Sequence, residues 1–146
     1  MATILRNILA CVIGVVLGGS INMALNVFGS SVIPPPAGVD VTDPDALSSS
    51  MHLFEPKHFV VPFLAHALGT LSGSLIAFLS ASSHKTTVSF VVGALFQFGG
   101  IAATFMIPAP VWFIILDLVV AYIPMAWLGA QLGYRMSKGT TGPPAS

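Results

Sequence analysis

Four long apolar stretches, separated by very little polar chain, restrict what this protein can fold into more than any other feature. They run over 8–28, 58–81, 88–107 and 111–134. The hydrocarbon core of a bilayer is about 30 Å thick and takes roughly 20 apolar residues as a helix. Inside it every backbone N–H and C=O must be satisfied, which leaves helices and closed barrels as the only spanning forms. Barrel strands need only about 10 residues each, so runs of this length point to helices. Charged residues make up 7% of the 146 residues, against about 25% in soluble domains. The expected fold is therefore all-α, an integral membrane bundle of four transmembrane helices in up-down order. A single transmembrane domain over 1–135 leaves no room for a soluble one.

The connections support that order. Residues 82–87 join the second run to the third, and Pro108-Ala109-Pro110 joins the third to the fourth; links this short make consecutive helices antiparallel neighbours. The first run closes on Gly29, Ser30 and Ser31 before Pro34, Pro35 and Pro36. It reads as a retained span rather than a cleaved leader, because no small-x-small site follows at the right distance. The outer loop 29–57 is the one long polar connection and carries Asp40, Asp43, Asp45 and Glu55. Within it Asp43 and Pro44 form a helix start, cap and first position. Leu47, Met51 and Phe54 then share a stripe, as a short helix lying in the membrane interface would need. The tail 136–146 is expected to be a disordered cytoplasmic segment.

Basic residues set the orientation, because loops kept in the cytoplasm carry the excess of Lys and Arg. Arg6, Lys85, Arg135 and Lys138 lie on one side of the four runs, and only Lys57 lies on the other. The N and C termini are thus expected in the cytoplasm. A net charge of zero with no basic block removes nucleic acid as a partner. One cysteine, Cys11, builds neither a disulfide nor a metal cluster.

In lipid, helices associate by close packing of small residues and by hydrogen bonds between them. Gly14 and Gly18 form one GxxxG pair, Gly69 and Gly73 another, and Gly93 and Gly100 share a face of the third span. These surfaces serve either packing within the bundle or the seam of a homo-oligomer.

Polar side chains mark each span. His66 opens a stripe with Gly69, Thr70 and Gly73; Gln97 lies between Gly93 and Gly100; Asn22 follows Gly18; Asp117 occupies the last span. At about 1.5 Å per residue, Asn22, His66, Gln97 and Asp117 fall roughly 9 to 15 Å from the outer ends of their helices. With Thr70, they are expected to converge on a polar cavity open to the non-cytoplasmic side. An ionised carboxylate at mid-span costs about 2.5–3.5 kcal/mol on insertion scales, so Asp117 needs a partner, and His66 is the natural one. Tyr122 lies well round a regular helix from Asp117 and is left out of this cluster. Pro62 and Pro124 are expected to interrupt the second and fourth spans. A second group, His52, Glu55 and His58, offers two imidazoles and a carboxylate to a possible metal, although Pro56 prevents the helical spacing of strong zinc motifs. The alternative role is for Glu55 and Lys57 to anchor the start of the second span at the headgroups, with His58 hydrogen-bonded nearby.

The run Phe54-Glu55-Pro56-Lys57-His58-Phe59, with Pro62 through Thr70, Trp112-Phe113, Asp117-Leu118 and 121–127, resembles a group of small uncharacterised bacterial four-helix inner-membrane proteins. The resemblance spans most of the chain and implies a bacterial inner membrane, but no activity. Nucleophile elbow, HExxH, CxxC, phosphate-loop and dinucleotide signatures are missing from the sequence, and no cofactor is expected. The leading expectation is a transport or channel-like protein whose polar cavity takes a small solute or protons. Its rivals are a structural or accessory subunit of a larger membrane complex and a metal-dependent intramembrane enzyme.

Overall fold

A computed structural model describes residues 1–139. Among them every regular element is helical: α1 (Ala2–Val32), α2 (Pro44–Ser50), α3 (Val60–Ser80), α4 (Lys85–Met106), α5 (Val111–Val120) and α6 (Ile123–Gly139), with short 3-10 turns at Met51–Leu53 and Pro56–Phe59. Four stretches are long and apolar enough to cross a membrane: Ala2–Val32, Pro56–Ser80, Lys85–Met106 and Val111–Lys138. Each reaches past at least one end of the apolar run that marked it, because helix hydrogen bonding continues into flanking residues that hydropathy does not count. The disordered tail expected from 136 onward is helical through Gly139, and 140–146 lie outside the described residues.

Close backbone contact between α1 and α3 organises the bundle. A methyl group at Gly14 would stand 2.6 Å from the Gly73 carbonyl oxygen, and one at Gly18 would stand 2.6 Å from that of Gly69. Along α1 the contacts descend α3, from Asn7 on Ser83 to Gly29 on Val61, so these two helices run antiparallel. Gly93 meets Ala126, Gly100 meets Tyr122, and Gly129 and Gly133 meet the α3 residues Leu71 and Phe78. All six glycines expected to pack therefore pack against other helices of the same chain. Two serines add a polar link. Ser74 Oγ donates to the Ser89 carbonyl at 3.2 Å and Ser89 Oγ returns a bond to the Ser74 carbonyl at 2.9 Å, joining α3 to α4 in the interior.

The two prolines behave differently. Pro62 is the third residue of α3, in the first turn where its missing N–H has no helical acceptor to lose; it does not interrupt the helix. Pro124 removes a hydrogen bond to Val120 and crowds that carbonyl. The fourth apolar run accordingly breaks there, with Ala121 and Tyr122 in a turn between α5 and α6.

At one end of the bundle Asn7 latches α1 to the turn between α3 and α4. Its Oδ1 accepts from Ser82 N at 3.1 Å, and its Nδ2 donates to the Ser83 carbonyl and to Ser83 Oγ, each at 3.1 Å. The sequence reading had no signal for this residue beyond its place near the chain start. Asn7→Ala removes these bonds at once, with the longer one from Ser83 N to Oδ1 at 3.4 Å, and should lower stability by about 1–2 kcal/mol, read as an earlier thermal transition of the detergent-held protein.

The opposite end carries the long loop. Asp43 caps α2 by accepting from Asp45 N at 2.9 Å, with Pro44 at the first helical position. Phe59 packs against Phe113 with the rings tilted and their centroids 4.9 Å apart, and meets Trp112 edge-on at 5.4 Å. This aromatic cluster pins the start of α5 to the start of α3. Asp117 follows Phe113 by four residues and His66 follows Phe59 by seven, spacings that keep each pair on one helix face. The cluster thus sets the register in which the imidazole and the carboxylate meet.

Candidate functional site

His66 and Asp117 are joined. Nδ1 of His66 lies 3.0 Å from Asp117 Oδ1 and 2.9 Å from Oδ2. Tyr122 completes the group: its hydroxyl donates to Asp117 Oδ2 at 2.9 Å, stands 3.2 Å from His66 Nδ1, and its ring stacks on the imidazole with centroids 5.8 Å apart. A carboxylate only accepts hydrogen bonds, so beside it Nδ1 carries a proton and Nε2 is the ring nitrogen outside the contact.

Tyr122 corrects the sequence reading. Five residues on a regular helix turn about 500°, which carries Tyr122 well round from Asp117. The break ahead of Pro124 cancels that rotation and swings the phenol back over the carboxylate. Gly100 makes room for it, because a methyl there would collide with the Tyr122 ring and hydroxyl. Gly100→Ala should push Tyr122 off Asp117 and cost about 1–3 kcal/mol. The diagnostic result is that Tyr122→Phe, added to it, costs little more, since the hydroxyl has already lost its acceptor.

Burial separates the roles within the group. Asp117 and Tyr122 are buried, while the His66 side chain is 25% exposed. What His66 faces is a cleft of about 270 Å³ lined by Val15 and Asn22 of α1, Leu95, Phe96, Gly99, Gly100 and Ala103 of α4, and Tyr122. The polar groups of the cleft are thus Asn22, His66 and Tyr122, with Asp117 held behind the imidazole. Asn22 is oriented by its neighbour one turn on, since Asn26 Nδ2 donates to Asn22 Oδ1 at 2.9 Å.

The other residues expected in the cavity lie elsewhere. Gln97 donates its amide to the Leu118 carbonyl at 3.0 Å, satisfying a group in the last turn of α5 that the helix break deprives of a regular partner. Thr70 is fully buried, and its Oγ1 has no hydrogen-bond partner; it does not line the cleft.

His52, Glu55 and His58 are not gathered into a three-ligand group. Among the described residues no three His, Cys, Asp or Glu side chains converge to hold an ion. Local bonds disperse them: His52 Nδ1 lies 3.0 Å from the Ser49 carbonyl, and His58 Nδ1 accepts from Glu55 N at 2.9 Å. Glu55 returns the cap to His58 N and pairs with Lys57 at 3.0 Å, which holds its carboxyl below the ordinary glutamate range. This is a capped helix start, with Pro56 at its first position.

The group at His66 can take up or release a proton at Nε2 and orient it through Asp117. It has no serine or cysteine nucleophile among its members. Comparison of the chain with protein-family models, with characterised proteins and with solved structures finds no match.

Proposed function

We propose that the chain is a four-pass protein of the bacterial inner membrane, up-down with both termini in the cytoplasm, whose His66 cleft holds a small solute or exchanges protons in a transport or channel-like role. The lipid bilayer is its first partner. The observation that carries this reading is the asymmetry of the His66–Asp117–Tyr122 group, in which a buried carboxylate and phenol orient an imidazole that is itself open to the cleft. A pair serving packing alone has no need of a cavity at one member. Ionisable groups within membrane spans are rare and mark substrate, ion or proton pathways, and the apolar outer surface of the four helices, Leu9, Val16, Phe98 and Val119 among the exposed residues, suits lipid contact.

The test is proton flux into dye-loaded liposomes under an imposed pH gradient. Wild-type protein should raise flux above protein-free liposomes, and His66→Gln should return it to background while remaining folded. Equal flux through wild type and His66→Gln would contradict the role given to His66. A second reading is favoured by Asp117, whose carboxylate is already satisfied by protein donors. In it the group is a tie between α3 and the α5–α6 break, and the chain serves as an accessory subunit of a larger complex. Wild-type flux no greater than background would turn the account to that reading.

A further inference from the structure

We infer that the solute of the His66 cleft enters sideways from the bilayer, between α1 and α4, and is a small amphipath with a compact apolar body and one hydroxyl. This rests on the reading of the cleft as a ligand site and adds the class of ligand and its route. The route follows from the walls. One is α1 at Val15 and Asn22, the other is α4 from Leu95 to Ala103, and Leu95 and Gly99 on the α4 side are exposed. The α4 wall extends over about 12 Å at 1.5 Å per residue. It runs from the middle of Lys85–Met106 to three residues short of its end, so the opening lies along the apolar flank of the helix. Apart from Asn22, His66 and Tyr122, the lining is apolar or glycine.

The head group follows from the hydrogen-bonding groups that remain. Tyr122 donates to Asp117, and His66 Nδ1 is committed to the same carboxylate. Asn22 Oδ1 already accepts from Asn26. Of what remains, Nδ2 of Asn22 is the donor, and Nε2 of His66, an acceptor in the neutral ring, is joined by the spare lone pairs of Asn22 Oδ1 and the Tyr122 hydroxyl. A hydroxyl, which donates once and accepts, answers both. The cleft volume of about 270 Å³ falls just short of the roughly 300 Å³ at which pockets for drug-sized ligands begin, so the body is a short chain or one or two rings.

The experiment uses 1-naphthol and naphthalene, which differ by one hydroxyl, at matched membrane concentrations. The full chain, labelled with ¹⁵N-histidine, is held in lipid nanodiscs, and the His66 imidazole signals are assigned with His66→Gln. Naphthol should shift the His66 Nε2 resonance, with naphthalene binding about tenfold more weakly for want of the hydroxyl. Gly99→Leu should abolish the naphthol shift by filling the mouth. A Cβ at Gly99 meets nothing within 4 Å, so the new side chain starts in open space. Equal shifts from both probes would overturn the assigned head group. A naphthol shift unchanged by Gly99→Leu would overturn the route. A shift with glycerol and none with naphthol would move the mouth to the aqueous side, overturning this inference while leaving the cleft a ligand site. Silence with both probes and glycerol would remove the ligand site itself.

Discussion

Gly73→Val is expected to be the most damaging single substitution in this chain, leaving little folded protein in detergent. Even a methyl at position 73 would stand 2.6 Å from the Gly14 carbonyl oxygen and 3.3 Å from the Phe96 ring. A backbone oxygen in the middle of a 31-residue helix cannot swing aside as a side chain can, so α1 and α3 must separate. Overpacking in a well-filled core costs about 1–3 kcal/mol and more where backbone must move. Here the cost should exceed about 3 kcal/mol, since the contact with Gly18 is lost together with that of Gly14. Gly99→Val is the control: the same chemical change where the new Cβ meets nothing within 4 Å should shift thermal stability by no more than about 0.5 kcal/mol. Equal losses from both would mean that the α1–α3 contact is not the organising one.

Asp117→Ala should follow closely, costing about 3–5 kcal/mol, since it removes the acceptor of two hydrogen bonds, each worth about 1.5–3 kcal/mol when made to a charged group. The carboxylate holds both the His66 imidazole and the Tyr122 hydroxyl, and the truncation leaves two donors facing a gap. Asp117→Asn keeps a side-chain oxygen in place and should cost about half as much. Pairing Asp117→Ala with His66→Ala gives the coupling directly. The double variant should be more stable than the sum of the single losses by about 1–3 kcal/mol, because the second truncation removes a group the first left unpaired. Strict additivity in chemical or thermal unfolding would show that the two side chains do not act as one unit.

Much of this architecture is legible in the sequence because four runs long and apolar enough to cross a membrane allow few solutions. Apolar runs of about 20 residues mark the four helices, and glycines four apart mark where backbones touch. His66 and Asp117 could be paired in advance from the cost of a lone carboxylate at mid-span. Tyr122 could not, since placing it needs the direction of the break before Pro124, and a wheel of 100° per residue sends it elsewhere. Depth alone places Gln97 with the cluster and says nothing of its bond to the Leu118 carbonyl, which exists only because α5 ends early. The prolines teach the same lesson from opposite sides. Pro62 and Pro124 look alike in an apolar run, and position within the helical turn decides that only the second breaks it. Asn7, Ser74 and Ser89 gave no sequence signal, because a polar residue in a helix reads identically whether it bonds its own backbone, as Ser20 does with Val16, or another helix.

Site-resolved carbethoxylation of the imidazoles in nanodisc-held protein, quantified by mass spectrometry, bears on the cleft at His66 without requiring its ligand. The exposed His52 and His84 supply the internal standard. His66, oriented through Nδ1 and open at Nε2, should react more slowly than these two but completely, and Gly99→Leu should protect it. A His66 that stays unmodified after His52 and His84 are consumed would contradict an open cleft and leave the imidazole as a sealed tie between helices.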